Sequence, residues 1–409
     1  MTAVTDRTTG NRFRHHGARA LSARGRLLAP PARPLRELDP WLIWPAVTLL
    51  LVGLVMVYSA SVATAEGRAV TGFQPGYFAL RHALYLALGV VAGTVAFQLP
   101  MTAWQRLAPW AFICACVLLV LVLIPVIGRE INGARRWLAI GPLQLQPSEF
   151  MKLAVVLYAA SYTARKLAVM GSFKRGFLPM ASVMLVVGFL LLREPDFGAF
   201  VVIVCIAMGI LFLGGINARL YFLLTVALAV GFVLLILISP YRRDRVLFFV
   251  DPFQDELGKG YQLAHALYAF SRGEWFGVGL GASMEKLFYL PEAHTDFLLA
   301  VIGEELGFAG VAAIIVLFAI LTQRAFAIAR QSISLERIFG GLVAYGVGIW
   351  LGIQGMFNIG VNLGVLPTKG LTLPLMSYGG SGILANCLAL ALLFRVDYEN
   401  RQLMSGGSK

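Results

Sequence analysis

Charge is what this sequence has least of. Only 13% of its 409 residues are Asp, Glu, Lys or Arg, while 58% are hydrophobic and the mean hydropathy is +0.77; a soluble domain is about a quarter charged. A soluble enzyme is excluded. No HExxH, CxxC, Walker loop or GxSxG occurs, so metal-dependent hydrolysis, NTP-driven transport and serine acylation have no sequence support. The row Gly277, Gly279, Gly281 lacks the dinucleotide fingerprint and follows no strand, so it is read as a turn. Cysteine is as scarce: Cys114, Cys116, Cys205 and Cys387 all fall in apolar stretches, without metal or disulfide spacing, and behave as small hydrophobes. Residues 1–40 carry eight Arg but no apolar core before Trp41. They therefore lack the features of a secretory signal and read as a basic, disordered cytoplasmic tail.

What is present is a series of apolar stretches, each about 18 residues or longer and able to cross a hydrocarbon core of about 30 Å. Ten spans are expected, at 41–60, 78–98, 108–127, 147–165, 177–193, 197–214, 219–239, 296–321, 339–363 and 373–394. The fold class is an all-α polytopic membrane protein. Its ten-helix domain covers 41–396, with a long extracytoplasmic loop, 240–295, between helices 7 and 8 and a cytoplasmic tail at 397–409. The net charge of +13 does not indicate nucleic acid, because the basic residues sit in short segments between spans. Twenty of the 34 Lys and Arg lie in segments on the side of the N-terminal tail, and six of the other 14 lie in the long loop, which the positive-inside rule discounts. Both termini are expected in the cytoplasm. Within the loop, Asp255–Arg272 puts Leu257, Tyr261, Leu263, Ala264, Leu267, Tyr268 and Phe270 on an approximate helical stripe.

Ionisable residues in or at the mouth of a span are costly there and are functional candidates by default. Most gather at the outer ends of the spans, and each also has a plainer reading. Glu149 and Lys152, three apart on one helix face, could simply neutralise each other. Arg135-Arg136-Trp137 could be an interfacial anchor, although guanidinium also suits bidentate phosphate contact. Glu194-Pro195-Asp196 could be a helix cap and break. Asp296 stands where the long loop enters an apolar span. It could be an N-cap, yet a half-desolvated carboxylate at a water-facing mouth is also an effective base. Glu304 and Glu305 lie about 12 Å deeper at 1.5 Å per residue. Gly303 and Gly307 permit close helix contact there, so these carboxylates are expected to point into the bundle. Gly340, Gly341, Gly346, Gly348 and Gly352 either admit a partner's span or serve internal packing.

Five runs together resemble the SEDS family of shape, elongation, division and sporulation proteins. They are Asn132–Trp137, Gln146–Lys152, Tyr289–Phe297, Gly303–Gly307, and Leu366–Gly370 continuing to Pro374–Ser381, in family order across residues 40 to 400. The stretch Leu366–Pro374 is similar to the cell-division branch; the elongation branch typically has an apolar pair in place of Thr368-Lys369. Some relatives carry Glu where this chain has Phe288, so that carboxylate is not carried over. The resemblance implies a peptidoglycan glycosyltransferase that polymerises lipid II into a nascent glycan strand. It also implies a multi-pass protein of the bacterial cytoplasmic membrane, at the division septum, working with a class B penicillin-binding protein and other division proteins.

The residues suit that chemistry. A pyrophosphate leaving group departs without protonation if cations hold it, so one base and positive charge suffice. Asp296 is expected to take the proton of the acceptor hydroxyl as it attacks the donor anomeric carbon, giving inversion. Lys152, Arg135, Arg136 and Lys369 are the candidates for the pyrophosphates, with Glu149, Glu292 and His294 as further substrate contacts. No cofactor or metal ligand set is evident, though a divalent cation could share the phosphate charge. Two other classes remain: a lipid II flippase, which would need polar groups through the depth of the bundle, and a non-catalytic scaffold, which would leave Asp296 free to become Asn.

Overall fold

The computed structural model describes residues 38–405, apart from 132, 141–142 and 256–257. They fall in a body, Leu38–Asn400, and a second unit of both termini, of which 401–405 are described. The basic tail read from the sequence lies, up to residue 37, outside the described residues, as does Leu257 of the loop stripe.

Helix α1, Pro40–Glu66, starts at Asp39, whose carboxylate accepts a hydrogen bond from the Trp41 N–H at 3.0 Å, and Pro40 occupies the first turn, where no N–H is needed. Helices α2, Tyr77–Gln98, and α3, Met101–Leu123, follow. Three short strands come next as an antiparallel meander: β1 Gly128–Ile131, β2 Ala134–Ile140 and β3 Leu143–Leu145, with Leu138 opposite Gly128 on one side and Leu145 on the other. The span pattern contains no strand. The signal was the pair Asn132-Gly133 between Ile131 and Ala134, a two-residue hairpin cue, and Gly133 takes the required left-handed conformation with φ 75°.

The remaining long helices are α4 Pro147–Lys166, α5 Leu178–Arg193, α6 Phe197–Leu213 and α7 Ala218–Ile238, then α8 Pro240–Val250 and α9 Tyr261–Gly273 in the loop, and α10 Leu298–Ser334, α11 Ile338–Asn362 and α12 Gly380–Met404. Each of the ten expected spans coincides with a helix. Eight are long and apolar enough to cross a membrane. Helix α6 is shorter, and α4 carries Glu149 and Lys152 but is enclosed by protein along most of its length, where lipid-facing charge would be costly. The last span starts at Gly380 rather than 373, because the preceding segment is non-helical.

Helix α11 lies at the centre, with Trp350 fully buried. Its glycines admit neighbours of the same chain: a Cβ on Gly348 would sit 2.8 Å from Phe326 of α10, and one on Gly346 would meet Val156 of α4 and Ile210 of α6. The glycine row therefore serves internal packing. Helix α7 has no buried residue and touches α6 through Phe232, whose ring lies 5.4 Å from Phe197.

Helix α10 is broken. Gly307 has φ 65° and ψ −165°, a conformation open to glycine, and the helix runs on to Ser334, well past the expected end at 321. The loop segment after α9 fits into the break: Val278 and Gly279 donate to the carbonyls of Glu304 and Glu305 at 2.9 and 3.1 Å, while Phe308 and Ala309 donate to those of Glu274 and Trp275 at 2.8 and 3.1 Å. Gly277, Gly279 and Gly281 all have positive φ, so this run is a stitched connection rather than a simple turn. Gly303 and Gly307 accept Phe270 of α9 and the loop backbone, not another span.

Candidate active site

A cavity of about 600 Å³ opens at the end of the bundle that carries the hairpin and the loop. Asp296 lies on its wall, half-buried, one residue before the Phe297 cap of α10. It is not the N-cap. Across from it runs the non-helical segment before α12, and the approach is close: a Cβ on Gly370 would stand 3.3 Å from Asp296 Oδ2. Lys369, its neighbour, holds its Nζ 3.8 Å from the centre of the Phe197 ring and also lines the cavity. Glu292 is exposed with φ 57° and accepts a hydrogen bond from Thr295 Oγ1 at 2.8 Å. His294 is buried between the rings of Phe78 (4.7 Å) and Tyr378 (5.5 Å), and burial pushes its pKa down to about 4. The imidazole is therefore neutral at pH 7.

The two adjacent arginines part company because strand side chains alternate faces. Arg136 turns to the cavity and donates to the carbonyls of Glu194 (3.2 Å) and Pro195 (2.5 Å). Arg135 turns away, pairs with Glu130 at 3.1 Å, and lines a separate recess beside Arg193. Lys152 does not reach the cavity. It is wholly buried beneath Glu149, 2.7 Å from Glu149 Oε1 and 2.8 Å from Gln354 Oε1. Glu149 lines the cavity, and its Oε2 is buried with no hydrogen-bond partner among the described residues.

In the turn between α5 and α6, Asp196 accepts hydrogen bonds from the Ala199 N–H (3.2 Å), Ser148 Oγ (2.7 Å) and Gln146 Nε2 (3.2 Å), and so caps α6 as the plain reading expects. Glu194 beside it is buried with neither carboxyl oxygen hydrogen-bonded among the described residues. Burial first, and then Asp196, push its pKa up to about 9 against the opposing effect of Arg136. The cavity thus gathers Asp296, Arg136, Glu149, Lys369, Glu292 and His294, joined by Arg81 of α2 and by Asp196. Three cations face four carboxylates, a more acidic lining than one base among several cations. Among the described residues no group of three His, Cys, Asp or Glu is arranged to hold a metal ion.

Glu304 and Glu305 are fully buried but closed off from this cavity. Glu304 accepts hydrogen bonds from Ser283 Oγ (2.5 Å), the Met284 N–H (2.8 Å) and Arg272 (3.3 Å). Glu305 pairs with Lys286 Nζ at 2.7 Å and accepts from Ser59 Oγ of α1 at 2.7 Å. Both carboxylates fasten the loop to α10.

The family model of FtsW, RodA and SpoVE, described as cell cycle protein, matches residues 40–402. The chain belongs to this family of polytopic membrane proteins, the SEDS family of the motifs above. Among its relatives, the probable peptidoglycan glycosyltransferase FtsW of Aromatoleum aromaticum is 69% identical over 93% of this chain and 92% of its own length. That of Burkholderia thailandensis is 56% identical over 96% and 86%. Of solved structures, a chain of a peptidoglycan synthase complex that coordinates polymerization and crosslinking superposes with a TM-score of 0.72 at 31% identity, covering 89% of this chain and 99% of that one. The rod-shape-determining protein RodA of Thermus thermophilus gives 0.64 at 28% identity, over 89% and 97%.

Proposed function

We propose that this protein is a peptidoglycan glycosyltransferase of the FtsW type, polymerising lipid II at the outer end of the bundle for septal wall synthesis. The observation that carries the reading is Asp296 on the wall of a charged cavity that also holds Arg136, Lys369 and Arg81, in a chain of this family. The Asp296 carboxylate takes the proton of an acceptor sugar hydroxyl. That oxygen forms the new bond to the donor anomeric carbon, the bond to the lipid pyrophosphate breaks on the opposite face, and configuration inverts. Arg136 and Lys369 meet the departing charge directly. Lys152 stays beneath the cavity and neutralises Glu149 there. With four carboxylates in the lining, a divalent cation accompanying the pyrophosphate would balance its charge, held by the phosphates and one or two carboxylates.

Both termini lie in the cytoplasm, in keeping with the distribution of Lys and Arg, and a class B penicillin-binding protein receives the strand. Since the α11 glycines face inward, the exposed apolar residues Phe276, Leu280 and Phe288 of the loop are the better contact for that partner. The closed pairs around Glu304 and Glu305 weigh against a flippase, which would need those carboxylates along a path. The test is Asp296→Asn in purified protein supplied with lipid II: polymer formation is lost while folding and partner binding persist. Retained polymerisation would sink the assignment.

A further inference from the structure

Four buried side chains stand one helical turn apart on one face of α11: Trp350, Gln354, Asn358 and Asn362. Trp350 Nε1 donates to Gln354 Oε1 at 2.8 Å, the oxygen that also receives Lys152 Nζ. Gln354 Nε2 donates to the Thr372 carbonyl at 2.9 Å. Asn358 Nδ2 donates to two carbonyls, those of Asp296 at 2.8 Å and Leu371 at 2.6 Å. Asn362 Nδ2 adds a second bond to the Asp296 carbonyl at 3.0 Å, and its Oδ1 accepts the Ala300 N–H at 3.1 Å, serving the first turn of α10 that Phe297 cannot cap.

The carbonyls taken by these amides belong to two non-helical segments, one carrying Asp296 and the other running on from Lys369. A single side-chain amide, that of Asn358, spans both. Buried backbone carbonyls outside helices must find donors, but bulk packing does not require that one donor serve both walls of a cavity.

We propose that Asn358, backed by Asn362, is a positioning residue that fixes the Asp296 carboxylate against the Lys369 segment, holding base and leaving-group cation at a set separation. The proposal rests on Asp296 being the base. Neither asparagine touches substrate; both act through backbone. A displacement of about 1 Å in a reacting group costs on the order of 10²-fold in rate, so the effect belongs in kcat rather than in lipid binding.

The experiment uses the purified full chain and steady-state lipid II polymerisation, with thermal unfolding measured on every variant and rates normalised to folded protein. Asn358→Ala is expected to lower kcat about 10- to 100-fold with KM within about threefold. Asn362→Ala, which leaves the Asn358 bond to Asp296, should lose less, and Asn358→Ser, which keeps a donor, should recover part of the loss. Wild-type kcat in the folded Asn358→Ala protein, or a loss confined to KM or to folded yield, overturns the proposal. Failure of all three variants to fold overturns it too, since the amides would then hold the bundle rather than the base. Asp296→Asn is run alongside: if it stays active, the reading of the base has failed, whereas loss there with normal Asn358→Ala turnover fails the positioning role alone.

Discussion

Lys152 and Glu149 form a buried ion pair, Nζ to Oε1 at 2.7 Å, in which the lysine is sealed from the cavity while Glu149 lines it and keeps its second carboxylate oxygen buried without a hydrogen-bond partner among the described residues. The lysine neutralises Glu149 from beneath, so this carboxylate adds little net negative charge to the cavity lining. Lys152→Met would leave Glu149 buried without its counter-ion, a loss of about 3–5 kcal/mol. Both a lower melting temperature and weaker polymerisation are expected, and Glu149→Gln in the same chain should restore the former but not the latter. Unchanged stability in Lys152→Met would show that the pair is not energetically buried.

The opposed faces of β2 predict opposed phenotypes for neighbouring arginines. Arg136→Met should lower turnover by on the order of 10²- to 10³-fold, the usual range for a preorganised charge contact. Arg135→Met removes an ion pair with an exposed glutamate, worth about 0–1 kcal/mol, and should leave turnover nearly unchanged. Equal losses would contradict the strand geometry.

Glu194 sets a pH dependence of known sign. Its pKa is raised to about 9 in the folded protein, so between the ordinary carboxyl range and pH 9 the folded state binds more protons than the unfolded one, and stability falls as pH rises. Glu194→Gln should raise the melting temperature at pH 8, with the gain shrinking toward pH 5. His294 has the reverse sign: its pKa is lowered to about 4, so the stability its burial depends on is lost as pH falls from about 6.5 to about 4. His294→Asn should flatten the acid limb. A gain for Glu194→Gln that grows toward acid would refute the first assignment.

The clamp at the α10 break makes a different demand. Glu305→Gln leaves Lys286 buried without its partner and should cost about 3–5 kcal/mol, whereas Glu305→Leu with Lys286→Met should recover much of it. A carboxylate on a transport path would instead change function at constant melting temperature, so thermal unfolding in detergent separates the two roles.

Eight of the ten expected spans were legible because hydrophobic runs of membrane length are read one residue at a time, with no need of tertiary context; α6 is too short for that measure, and α4 is a charged helix enclosed by protein. Asp296, Arg136, Glu149 and Lys369 were legible for a related reason, since charge is so scarce here that position alone marks it, whereas Glu292 and His294 came only with the motif Tyr289–Phe297. Arg135 and Lys152 were misplaced because facing is not a property of composition. One turns on strand alternation in a hairpin that only Asn132-Gly133 announced, the other on a fully buried neighbour, Gln354, whose Oε1 accepts its hydrogen bond. The α11 amides were invisible among glycines because their partners are backbone carbonyls more than 60 residues away for Asp296, or in a loop whose path depends on the fold. Glu304 and Glu305 were legible as buried, but their partners Ser59, Ser283 and Lys286 had no pattern connecting them.

Helix α10 is 37 residues long, about 55 Å at 1.5 Å per residue, while the hydrocarbon it crosses is about 30 Å thick. The portion beyond the Gly307 break, Phe308–Ser334, reaches about 40 Å and is by itself enough to span. The nine-residue stub from Leu298 is therefore not needed to cross the hydrocarbon, and Asp296 closely precedes it. With Asp296 as the proposed base, a lipid-linked sugar would be met beyond the end of the span rather than along it, so that its tail can stay in the bilayer while successive sugars are added.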